Sequence, residues 1–168
     1  SIEAFKDKQV IKVLTGIRRC GKSVLMEQFM QTLLDRGVSE RQITYIRLDD
    51  LNNELLLEYH NLYAFIKSAL LEDKMNYVFI DEVQLCNDFQ KPVETLFNYK
   101  NVDLYLTGSN ADLLSGELAT LLSGRYVTID MLPFSFCEYL ECIKENNFPS
   151  QTTEENYYDY VKFGSMPF

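Results

Sequence analysis

The sequence predicts an α/β protein of three layers, a parallel sheet of five strands covered by helices on both faces. Short β-rich runs alternate with segments of helical period, the signature of βαβ units. The runs Tyr77–Ile80 and Leu104–Leu106 are apolar without alternation, as expected of strands buried on both sides. A chain of 168 residues with 46% hydrophobic and 24% charged side chains suits one compact domain and excludes collagen-like or disordered chains.

Val10 to Thr15 reads as the first strand and stops at Gly16. Lys22 to Arg36 places Val24, Leu25, Phe29, Met30, Leu33 and Leu34 at helical spacing, with Gly37 as the residue that ends it. Ile43 to Leu48 is a strand closed by Asp49 and Asp50, for which a loop or cap role is expected. A helix from Asn61 or Leu62 to Glu72 follows, then the strand Tyr77–Ile80. Asp88 to Tyr99 is helical, with Pro92 tolerated in its first turn. Val102–Leu106 is the fourth strand, 111–122 is helical in two pieces around Gly116, and Tyr126–Leu132 is the fifth strand. After Pro133 the pattern changes: Ser135 and Glu138 form a capping-box signature, and a last helix runs from Glu154 to Phe163. The division is therefore a core over 1–132 and a helical extension over 133–168 that opens a following region. The absence of an initial Met and an end at Met166-Pro167-Phe168 fit a piece of a longer chain.

Lys and Arg number 16 against 25 Asp and Glu, a formal charge of −9. Phosphate backbones are bound mainly through cationic side chains, so this domain alone does not support nucleic-acid binding. No apolar run approaches the roughly 20 residues that span a bilayer. Cys20, Cys86, Cys137 and Cys142 show no CxxC spacing, and reduced thiols in a cytoplasmic protein are expected.

Gly16-Ile17-Arg18-Arg19-Cys20-Gly21-Lys22-Ser23 matches G-x-x-x-x-G-K-[ST], with a strand before it and a helix after it, and these residues with Val24 are expected to bind the nucleotide. Glycines let successive N–H groups curl around phosphates, and the positive helix end adds to the attraction. Lys22 would reach the β- and γ-phosphates and the Ser23 hydroxyl would ligate Mg²⁺. Arg18 and Arg19 either add positive potential or are simply solvated. Asp81 and Glu82 end a buried strand at the sheet edge where ligands bind. Asp81 is placed to hold Mg²⁺ beside Ser23, and Glu82 to orient or deprotonate a water attacking the γ-phosphate. The chain has no Asn-Lys-x-Asp, and Gln84 stands where a GTPase carries Gly after its Asp-x-x, so ATP is expected over GTP.

Thr107, Ser109 and Asn110 end the fourth strand. Should that strand lie between those of the loop and of Asp81, these residues could touch the γ-phosphate or the water; Ser109 and Asn110 would serve equally as helix N-caps. Arg125 is either a turn residue or an arginine finger toward an adjacent subunit's nucleotide.

Together, Gly16–Ser23, Tyr77–Gln84, Leu104–Val127 and Met131–Leu140 resemble a family of prokaryotic AAA+-like ATPases. In that family the ATPase domain precedes an uncharacterised, nuclease-like C-terminal domain. The resemblance implies an additional-strand P-loop sheet of order 5-1-4-3-2, ATP with Mg²⁺, and the finger position for Arg125. It also implies partnership with the chain's own C-terminal domain and leaves a homo-oligomer open. The expected function is Mg-dependent ATP binding and slow hydrolysis that switches the C-terminal domain. A non-hydrolysing nucleotide-binding scaffold, or the ATPase part of a DNA-handling protein, are the alternatives.

Overall fold

A computed structural model describes residues 2–108, 124–133, 135–145 and 152–163. The predicted helix over 111–122, with Ser109 and Asn110, lies outside the described residues.

Five strands form one sheet in the order β2-β3-β4-β1-β5: β1 Ile11–Gly16, β2 Ile43–Arg47, β3 Asn76–Asp81, β4 Val102–Gly108 and β5 Tyr126–Met131. Every neighbouring pair is parallel. This is the implied order 5-1-4-3-2 read from the other edge, and β4 does lie between β1 and β3. Strands β1, β3 and β4 are buried along their whole length, which is why their sequences do not alternate.

Among the described residues the α-helices are α1 Lys22–Asp35, α2 Tyr59–Ala69, α3 Gln90–Phe97, α4 Phe136–Glu145 and α5 Thr153–Phe163. Two apolar layers sandwich the sheet. On one face Phe29 and Leu33 of α1 pack on Leu14, Phe79 and Tyr105; on the other Leu62 and Ile66 of α2 and Val93 and Leu96 of α3 pack on Val13, Ile80 and Leu106. A buried ion pair, Lys12 to Asp103, joins β1 to β4 near the start of the sheet. Asp103 also accepts from the Asp7 amide and the Tyr105 hydroxyl, and Lys12 also donates to the Lys8 carbonyl, so both buried charges have further hydrogen-bond partners. Its burial pulls the two groups in opposite directions, Lys12 downward and Asp103 upward.

Two helices depart from expectation. Helix α2 stops at Ala69 because the Asn76 side chain takes both the N–H and the C=O of Leu71, each at 2.9 Å, and draws the chain out of the helix. Helix α3 starts at Gln90 because Asp88 adopts a left-handed backbone, φ 53°. The two final helices meet through aromatic rings, Phe136 against Tyr157 and Tyr160. No helix among the described residues is long and apolar enough to cross a membrane.

Candidate active site

The segment between β1 and α1 is a curled loop. Arg19 and Gly21 both have left-handed φ, 69° and 92°, and Gly21 stands at the N-terminus of α1. Alternating handedness of this kind turns backbone N–H groups toward one point, a geometry suited to anions. Gly16 admits no side chain: a Cβ there would lie 2.5 Å from the Met131 carbonyl oxygen and 2.6 Å from Cys20 Sγ. Lys22 is buried, and its ammonium donates to the Gly16 and Ile17 carbonyls at 3.0 and 3.1 Å, folded back along the loop. Ile17, Arg18, Arg19 and Val24 are exposed, Cys20 is buried and Ser23 is half-buried.

The acids stand two strands away, at the same end of the sheet. Asp81 is 1% exposed, and its carboxylate accepts from the Thr107 hydroxyl on one oxygen and from the Tyr45 hydroxyl at 3.3 Å on the other. No Lys or Arg among the described residues forms an ion pair with it. Burial first, and the Asp81 charge second, push the Tyr45 hydroxyl far above its ordinary range, so it remains a donor at any working pH. Glu82 follows in a left-handed conformation, φ 53° and ψ 49°, unusual for a residue with a long side chain. Its amide N–H donates to Thr107 Oγ1 at 3.0 Å, and its Oε2 accepts from Gln84 Nε2 at 2.6 Å. Thr107 is thus the joint between the acids, donating to one and accepting from the backbone of the other.

Asp50 caps the short helical turn after β2 by accepting from the Asn52 amide at 2.9 Å, and Asp49 pairs with Arg47. Arg125 stands elsewhere. It immediately precedes β5, whose first residue pairs with Ile11 while its last pairs with Gly16. Six residues of strand at about 3.3 Å each put it about 20 Å from the loop, at the opposite end of the sheet. There it pairs with Glu94 at 3.2 Å and lies over the Phe97 ring. Sequence reasoning missed Tyr45 and the Gln84–Glu82 bond. Tyr45 carries no motif, whereas Gln84 was visible beside the acid pair.

The loop on β1 and the acid pair on β3 lie within residues 8–140, the stretch matched by a family profile described as the AAA domain. The chain belongs to the AAA domain family. It is 39% identical over 164 residues to an uncharacterised protein of Haemophilus influenzae, covering 97% of this chain and 41% of that protein. It therefore spans less than half the length of this relative. By shape it is similar to Saccharomyces cerevisiae RIF2, with a TM-score of 0.56 at 12% identity, covering 96% of this chain and 66% of that one. It is likewise similar to Caenorhabditis elegans PCH-2, TM-score 0.52 at 18% identity, covering 89% and 44%. The two structural likenesses show the fold, a three-layer α/β P-loop domain, and membership of the AAA domain family supports a nucleotide-binding function of ATPase type.

Proposed function

We propose that this AAA domain binds ATP with Mg²⁺ at the Gly16–Ser23 loop, hydrolyses it slowly, and passes the change to the remainder of a longer protein. The observation that carries the reading is Thr107 holding Asp81 and Glu82 together at the sheet end that also bears the loop. Asp81 is held by neutral hydroxyl donors, which orient it without neutralising it, and the Glu82 backbone is fixed by the bond its amide donates to Thr107.

The donors present suit a hard cation. A buried carboxylate with only hydroxyl partners lacks a compensating charge, and Mg²⁺ favours oxygen ligands completed by substrate phosphates. Ser23 and Asp81 would hold it, and when bound it would neutralise charge on phosphate oxygens.

In this reading Lys22 exchanges its two loop carbonyls for phosphate oxygens, while loop amides and the N-terminus of α1 bind the anion. Glu82 receives or polarises the proton of the attacking water, and its backbone is already fixed against Thr107. Cys20, packed against Gly16, belongs to the loop wall. The segment after Met131 leads from the core into the helical extension and carries the response outward.

The test compares two variants by calorimetry and single-turnover hydrolysis in the full-length protein. Lys22→Ala raises the Kd for ATP about 100-fold or more, on the order of 3 kcal/mol. Glu82→Gln leaves Kd nearly unchanged and slows hydrolysis about 100-fold or more. Tight binding with no turnover in the wild type would make the domain a non-hydrolysing scaffold instead.

A further inference from the structure

The hydrogen bond between Gln84 and Glu82 has no counterpart in the roles assigned above. Gln84 lies in the short helical turn Val83–Leu85 that directly follows the acid. Its Nε2 donates to Glu82 Oε2 at 2.6 Å, whereas its Oε1 is buried with no hydrogen-bond partner among the described residues. The orientation of the amide follows from chemistry, because an ionised carboxylate can only accept and so must face the NH₂ end.

A buried carbonyl left unpaired is unfavourable, and a methionine would fill similar volume without it. Packing alone therefore does not account for an amide at this position. What the amide supplies is a short, charge-assisted bond to one oxygen of Glu82. The acid is then held at both ends, its amide by Thr107 and its carboxylate by Gln84. A glutamate has three side-chain torsions to fix, and a base must be fixed to meet a water in line.

We propose that Gln84 is a positioning residue for the hydrolytic step, acting through Glu82 by setting the direction of its carboxylate. This deepens the reading of Glu82 as the base and rests on it. The experiment uses full-length protein and three variants: Gln84→Met, which keeps the volume and removes the donor, Gln84→Ala, and the double variant Glu82→Gln/Gln84→Met. Single-turnover hydrolysis falls about 10- to 100-fold in both single variants, while the Kd for ATP in calorimetry stays within about twofold. On the Glu82→Gln background, Gln84→Met costs nothing further, because the group it positions is already lost. Thermal unfolding of Gln84→Met separates a folding defect from a positioning one. Should Gln84→Met fold and hydrolyse at the wild-type rate, or should the two substitutions multiply, the positioning role is overturned. A wild type without turnover, or a Glu82→Gln variant as fast as wild type, would remove the base itself and this role with it.

Discussion

A methyl group at position 16 would lie 2.5 Å from the Met131 carbonyl oxygen, a backbone atom with little freedom to move. Gly16→Ala must therefore push the loop away from β5. Urea unfolding is expected to show a loss of about 1–3 kcal/mol, accompanied by weaker ATP binding in calorimetry. The glycine is legible in sequence because the motif demands it, but the reason is not: the obstructing atom belongs to a strand 115 positions later, as the pairing of Gly16 with Met131 shows. Thr107 teaches the same lesson. Its place at the end of β4 is readable from the run of apolar residues before it. That its hydroxyl is engaged by Asp81 and by the Glu82 amide depends on which strand lies alongside, a tertiary fact.

At the scale of elements, the strands were the most legible because continuous burial leaves continuous apolar runs. Helix ends were less so, since Asn76 and Asp88 set them through a side-chain bond to Leu71 and a left-handed backbone that composition does not announce. The start of α4 was legible. Ser135 and Glu138 form the reciprocal box, Ser135 N–H to Glu138 Oε2 at 2.7 Å and Glu138 N–H to Ser135 Oγ at 3.3 Å. Thr152 and Glu155 repeat it at α5. Backbone and then hydroxyl bonds from Ser135 lower the Glu138 carboxyl, and those from Thr152 lower Glu155, below their ordinary 4.5. A lowered acid stabilises the folded form above its unfolded value and loses that contribution as pH falls through its folded value. Carbon chemical shifts at the first turns of α4 and α5 are thus expected to drift toward coil values as pH falls below 4.5. Ser135→Ala should remove the drift in α4 and leave it in α5.

At the scale of the whole molecule, the sheet order puts Arg125 and the loop at opposite ends of adjoining strands. Arg125 therefore serves no nucleotide in its own subunit, and a finger role requires a second copy. Under that role Arg125→Ala leaves ATP affinity unchanged and slows hydrolysis by about 1,000-fold or more. Mixing it with Glu82→Gln should restore part of the rate, because one subunit supplies the acid and the other the arginine. If mixing restores nothing while each variant still assembles, Arg125 is the turn residue that its pairing with Glu94 and Phe97 already makes it.

The contact between Gly16 and Met131 leaves no room for a side chain, and β5 ends the sheet order, with β1 its only neighbour among the described strands. One position earlier, the Thr15 hydroxyl also reaches across to Asp130. Any load hung on the polypeptide beyond Met131 is consequently tied to the first link of the anion cradle. A tug there would be felt by the cradle before it reached the buried strands, and a tightening cradle would pull back along the same tether.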